Sequence, residues 1–155
     1  MRPLFLPISV ATAQHYQRGG GDAYGLAPEV HISDGVGVPC RYTLRLLPKG
    51  ARYLIVAHRP FDGLNPYAET GPIFVSADAA EGASPSYELP ETMNAGQYIV
   101  RGYNGEERIL YGTGAVTPTG RVIQACQSLL ERDDVAFVHI RSASNNCFTC
   151  RVERD

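Results

Sequence analysis

The sequence predicts an α+β fold: a mostly antiparallel sheet with a helix in its second half, about residues 118–132, packed on it. Three observations carry this prediction. Tyr53-Leu-Ile-Val-Ala57 and Val135 to Ser142 are short apolar runs bounded by turn-forming or charged residues, the pattern of buried strands. Asn104-Gly105 stands between two strand-like segments and matches the turn chemistry of a hairpin. Val122, Ile123, Cys126, Leu129 and Leu130 fall on one helical face over about three turns. A chain of 155 residues suits one domain, 1–155, with one core.

The elements follow in order. Phe5 to Val10 reads as the first strand. The start, Met1 to Ala13, has the outline of a short leader with an Ala-x-Ala end, but Pro7 interrupts its apolar part, so the strand reading is preferred. Arg18-Gly-Gly-Gly-Asp22 reads as a mobile loop, since three glycines cost much entropy to order. Val30 to Ser33 is a short strand. Tyr53 to Ala57 reads as a strand buried on both faces, and Ile73-Phe-Val75 reads as a further short strand. Between them, residues 59–72 form a Pro- and Gly-rich loop carrying Tyr67 and Glu69. Residues 79–96 give only weak helix or loop signals.

The Asn-Gly pair predicts a two-residue turn that fixes register: Tyr103 opposite Glu106, Arg101 opposite Arg108, Val100 opposite Ile109 and Tyr98 opposite Tyr111. Tyr98, Val100, Ile109 and Tyr111 would then share one apolar face. Thr117-Pro118 offers an N-cap and a first-turn proline for the helix, which ends at Asp133-Asp134. In the strand 135–142 the even positions, Ala136, Val138, Ile140 and Ser142, form a core face. The odd positions begin apolar and end in His139 and Arg141.

Composition excludes several classes. With 14 basic and 16 acidic residues and a net charge of −2, the chain lacks the basic excess of a nucleic-acid binder. No apolar run approaches the ~20 residues of a membrane helix, so neither nucleic acid nor membrane is an expected partner. Cys40, Cys126, Cys147 and Cys150 are too few for a disulfide scaffold, which makes a reducing cytoplasm the expected location.

Cys147 and Cys150 form half of a zinc knuckle. Cys40 begins another, but Thr43 stands where its second cysteine belongs. His31, His58 or His139 could supply a ligand, yet no spacing selects one. The expectation is no metal and no cofactor, with Cys40, Cys147 and Cys150 as vestigial ligands. Only five residues follow Cys150, so no helix follows to activate a redox dithiol. Cys147, His139 and Asn145 or Asn146 have the residue types of a Cys-His-Asn hydrolase, which types alone do not establish. Asn145-Asn146 also makes an ordinary turn. Cys126, on the apolar helix face, is a core residue.

Specific blocks occur in order along the chain: Pro39-Cys40-Arg41, Arg59-Pro60-Phe61, Pro66-Tyr-Ala-Glu-Thr-Gly-Pro-Ile-Phe-Val75, Arg101-Gly-Tyr103, Tyr111-Gly-Thr-Gly114 and Val138 to Arg151. In these blocks the chain resembles the bacterial domain-of-unknown-function 1203 family. The resemblance implies no activity. It does imply a second cysteine at Thr43, and a histidine and a further cysteine after Val75. Here Ser76 and Ala79-Ala80 stand in those places, so a thiolate-rich site in relatives would be lost in this chain.

The matching segments supply Arg59, Tyr67, Glu69, Arg101, His139, Arg141, Asn145 and Asn146 as candidate ligand-binding residues. The favoured expectation is a site for an anionic small molecule, with Glu69 and His139 as candidate catalytic groups if there is chemistry. The alternative is a non-catalytic interaction module with a degenerate zinc knuckle. Convergence of Glu69, Arg101, His139 and Arg141 in one concavity would favour the first.

Overall fold

A computed structural model describes residues 1–155. Its strands are β1 (Pro3–Leu6), β2 (Glu29–Ile32), β3 (Arg52–His58), β4 (Gly71–Ser76), β5 (Gln97–Tyr103), β6 (Ala115–Pro118), β7 (Phe137–Ser142) and β8 (Phe148–Arg154). Its helices are α1 (Val10–Gln17) and α2 (Val122–Leu130), the latter led in by a 3₁₀ turn at Thr119–Arg121. The strands form two antiparallel sheets, one of order β1-β8-β7-β5-β6 and one of order β2-β3-β4. The α+β class read from the sequence is therefore the class of the structure.

One face of the five-stranded sheet is apolar throughout. Cross-strand partners Phe5 and Val152, Val152 and Val138, Cys150 and Ile140, and Ile140 and Val100 line it. α2 lies over this face with Val122, Cys126 and Leu130, each at 1 % exposure or less. Fully burying each such side chain is worth about 1.5–3 kcal/mol, which dominates what the short helix gains from its own propensity. Burial also raises the Cys126 thiol to about 12, so it stays protonated.

The three-stranded sheet buries Leu54, Val56, Ile73 and Val75 beneath α1, which contributes Ala13 and Tyr16. Phe148, from the reverse face of the larger sheet, enters this second core. The two sheets are thus fastened together through β8, which also contacts β4.

Several local expectations are corrected. The first strand ends at Leu6. Ser9, whose side chain accepts from the Thr12 amide, then caps α1, a helix the sequence did not predict, its strand having been carried to Val10. The Gly19–Gly21 loop is held rather than mobile. Gly19, at φ +83°, closes the helix end, and the His15 ring lies so close over Gly20 that a Cβ there would collide with it. Asp22 then accepts from the amides of Tyr24, Leu26 and Ala57, pinning the loop to β3. β3 itself alternates, with Leu54, Val56 and His58 buried and their neighbours half-exposed, because only one face of its small sheet is covered.

The hairpin register also differs. Asn104 Oδ1 accepts from the amides of Glu106 and Arg108, and the Glu107 amide returns to the Asn104 carbonyl. The left-handed residue is Glu107, at φ 60°, not Gly105. This longer turn sets Ile109 opposite Tyr103 instead of Val100. Tyr98 and Val100 stay in the α2 core, Ile109 packs near Phe61, Tyr103 and Phe137, and Tyr111 is exposed. Arg101 faces His139 of β7, not Arg108. Residues 115–118 form β6, so Thr117-Pro118 ends a strand and does not cap the helix.

β7 is buried on both faces, because α2 covers one and the loop 59–70 with Phe148 covers the other. The expected knuckle at Cys147–Cys150 is instead the start of β8. The extended chain sends positions three apart to opposite faces. Cys150 joins the α2 core, Cys40 joins the α1 core, and Cys147 stays half-exposed.

Candidate functional site

The reverse face of the five-stranded sheet carries charge. Arg101, His139 and Arg151 stand side by side on β5, β7 and β8. Arg141 follows one row further along β7, where a register shift between Ile140 and Arg141 bends the ladder.

Glu69 reaches this face from the loop 59–70. Glu107, left-handed in the hairpin turn, accepts from the amides of Asp62 and Gly63 at 3.0 Å, docking the loop. Asn65 Oδ1 accepts from the Tyr67 amide at 2.7 Å and turns the chain toward Glu69. The carboxylate then lies between two arginines: Oε1 is 2.8 Å from Arg101 Nη2 and Oε2 is 2.7 Å from Arg141 Nη2. The second contact is a close ion pair and not an aligned hydrogen bond, since Oε2 has no partner of good angle. Arg101 also donates from Nε and Nη2 to the Tyr103 hydroxyl, at 3.0 and 2.7 Å. Burial raises the Tyr103 hydroxyl even against the neighbouring Arg101, so the arginine meets a neutral phenol.

Arg141 is the deepest of these groups, its side chain 4 % exposed. Its Nε donates to Asn146 Oδ1 at 3.2 Å, and Asn146 adopts φ 60° to present that oxygen. Its Nη1 is buried with no protein partner. Burial lowers its proton affinity and Glu69 opposes the shift, yet a guanidinium remains charged throughout the ordinary pH range. Two guanidiniums against one carboxylate leave one positive charge uncompensated.

Arg141 lines a cavity of about 350 Å³ with Glu69, Thr70, Asn145, Asn146 and Cys147. A second cavity of about 540 Å³ adjoins it, sharing Pro72, Asn145 and Cys147, and contains Arg41 and the buried, unpartnered Thr92 Oγ1. Arg41 donates through Nε to the Phe148 carbonyl at 2.6 Å. It also lies within electrostatic reach of Cys150, Cys147 and Cys40. A cation therefore acts on all three cysteines that the sequence reading took for vestigial zinc ligands. No group of three His, Cys, Asp or Glu side chains gathers in metal-binding geometry.

Of the residues expected at the site, Glu69, Arg101, Arg141, Asn145 and Asn146 come together, and three do not. Tyr67 sits outside the cavity, its hydroxyl 3.0 Å from that of Tyr111 and its ring beneath Arg108. Arg59 lies at a different cavity, beside His58. His139 is fully buried behind the arginines, surrounded by the rings of Phe61, Tyr103, Phe137 and Phe148 at 4.9–5.0 Å. Both of its ring nitrogens lack partners. Burial first, then Arg151, Arg141 and Arg101, push it well below the usual imidazole range, so it is neutral. It makes no hydrogen bond to Cys147, which removes the Cys-His-Asn arrangement. Arg41 was missed in the sequence reading. Its position next to Cys40 in a distinctive block was the available signal.

The whole is an α+β protein of two antiparallel sheets with an arginine–carboxylate cluster beside an open cavity. A family model described as "Protein of unknown function (DUF1203)" matches residues 37–154, and the chain belongs to that family. No curated protein matches the chain, and no solved structure matches it.

Proposed function

We propose that the cavity beside Arg141 binds a small anionic molecule, carboxylate or phosphate in kind. The observation that carries this reading is the Arg141 guanidinium, buried at the cavity with one nitrogen unpartnered and its charge only shared with Arg101 against Glu69. A guanidinium fork matches such oxyanions two N–H groups at a time. The amide side chains of Asn145 and Asn146 add polar contacts at the rim. Glu69 is the group that would take a proton if the bound molecule reacts, but both its oxygens are committed to arginines, so binding is placed first.

The alternative, an interaction module keeping a degenerate knuckle, has one observation in its favour. Cys40 Sγ accepts from the amides of Thr43 and Ser76, as a knuckle sulfur would, with no second thiolate beside it. The setting we propose is a bacterial cytoplasm, which four free thiols fit. No helix is long and apolar enough to cross a membrane. We also propose a single domain, a reading supported by the entry of Phe148 into the core of the other sheet.

Calorimetric titration with phosphate, acetate and succinate at fixed ionic strength tests the binding reading. At least one should bind the native protein, and Arg141→Lys should weaken it about tenfold by losing the fork. An equal response of the two proteins rules the site out.

A further inference from the structure

We infer that a separate oxyanion site lies across the molecule, in the cavity between α1 and the end of β3. The cavity has a volume of about 400 Å³ and is lined by Thr12, His15, Tyr16, Asp22, His58 and Arg59, among others. Arg59 marks it. No carboxylate lies within ion-pair distance of Arg59, and its guanidinium donates to no protein acceptor. Its Nε is buried and unpartnered. A buried donor without a partner is costly, and a guanidinium whose other nitrogens face solvent is free to take an oxyanion.

The surroundings supply one negative charge, and it is turned to the backbone. Asp22 is the one acid lining the cavity, and its oxygens are spent on the amides of Tyr24, Leu26 and Ala57. His58 is buried, and its Nδ1 lies 2.9 Å from the Tyr16 hydroxyl. Burial, then Arg41 and Arg59, lower it to about 4, so it is neutral at pH 7. Burial likewise keeps the Tyr16 phenol protonated. An oxyanion in this cavity therefore meets the unpaired Arg59 cation and the neutral rings of His58 and Tyr16, with the Asp22 carboxylate held on backbone amides.

The rim is built as well. His15 Nε2 is 2.8 Å from the Gly21 carbonyl, and the imidazole lies against Gly20 where no larger residue fits. The glycine loop is thereby folded into one wall, and its end is fastened to β3 through Asp22. Most of the lining residues, from Ala11 to Ala23, precede the segment 37–154 that matches the family. The wall of the site built by α1 and the glycine loop lies outside the family match, whereas His58 and Arg59 lie inside it. The site is also independent of the Arg141 cavity, with which it shares no lining residue.

The ligand is a small oxyanion, and carboxylate and phosphate are separated by titrating each. The test is a ¹⁵N–¹H correlation NMR titration of the full chain with inorganic phosphate and, separately, acetate, at fixed ionic strength. The expected result is saturable shifts at the amides of Gly20 to Ala23 and His58 with one of the two. These shifts should weaken about tenfold or more in Arg59→Gln and persist in Arg141→Lys. Arg59→Lys, which keeps the charge and loses the fork, should weaken them less, and it serves if the glutamine variant fails to fold. A response to phosphate alone, to acetate alone or to both supports the site and assigns its chemistry. No saturable shift at these amides with either anion overturns it, as do shifts unchanged in the Arg59 variants. Loss of response only at Asn145 and Asn146 would refute the Arg141 reading and leave this one standing.

Discussion

Beneath α2 the larger sheet presents Phe5, Val100, Val138, Ile140 and Val152; on its reverse it presents Arg101, His139, Arg141 and Arg151. Both faces are covered, and β7 is buried on either side. The apolar face needs only complementary shape. The reverse face pairs or stacks part of the charge it buries: Glu69 lies between two arginines, Arg151 sits 3.7 Å over the Phe137 ring, and His139 is left neutral. Buried ion pairs seldom exceed a well-packed apolar replacement in stability. The difference teaches that the first face holds the fold, whereas the second spends stability to keep cations near a cavity.

Four experiments would break or sharpen that contrast. The largest effect belongs to the apolar face: Leu130→Ala should lose about 3–4 kcal/mol in urea unfolding, since the α2 core cannot collapse around the gap. A loss under 1 kcal/mol would mean that α2 does not anchor the sheet.

Acid should then act on the interior histidines. His58 has a folded pKa near 4 against 6.5 free, so the unfolded chain binds more protons between those values. Stability is present above pH 6.5 and falls as pH drops toward 4, by about 3 kcal/mol from this residue. His139, lowered for the same reason, adds in the same direction. Urea midpoints from pH 7 to 4.5 measure the fall, and His58→Gln should flatten it.

Glu69→Gln comes next. It strands the guanidinium of Arg141, but Glu69 is 31 % exposed and solvent relieves part of the charge. A loss of about 2 kcal/mol at neutral pH is expected by chemical denaturation. The smallest effect is His139→Phe. It removes two unpartnered nitrogens from an aromatic surround at the cost of slight overpacking, so stability at pH 7 should change by less than about 1 kcal/mol. A larger loss would show that the imidazole has a partner, such as an ordered water.

Legibility in the sequence divides along the same line. The α2 face was readable because Val122, Cys126 and Leu130 recur at helical spacing and nothing polar interrupts them. α1 was not readable, because it buries only Ala13 and Tyr16 and so has almost no apolar stripe. The hairpin register was misread because Glu107, not Gly105, takes the left-handed conformation, and the side chain of Asn104 selects that turn. β8 was hidden by its cysteines, which suggested a knuckle where the chain is extended. Within the candidate site, the approach of Glu69 to Arg101 and Arg141 depends on Glu107 holding the 59–70 loop. That contact joins residues some 45 apart, beyond the reach of any local pattern.

The pairing of β1 with β8 has a consequence for biosynthesis. Pro3–Leu6 has no other strand neighbour in its sheet, and its partner is Phe148–Arg154. The ribosome makes the second of these segments more than a hundred residues after the first. Until then β1 has only the backbone bridge of Phe5 to Ser86 and the cover of α2, and β7 lacks its neighbour on one side. The larger sheet cannot close until β8 has been made, and the nascent chain must keep the apolar residues of β1 out of trouble over that interval. Long-range closure of this kind folds slowly, and it exposes the unfinished sheet to chaperone capture until β8 arrives.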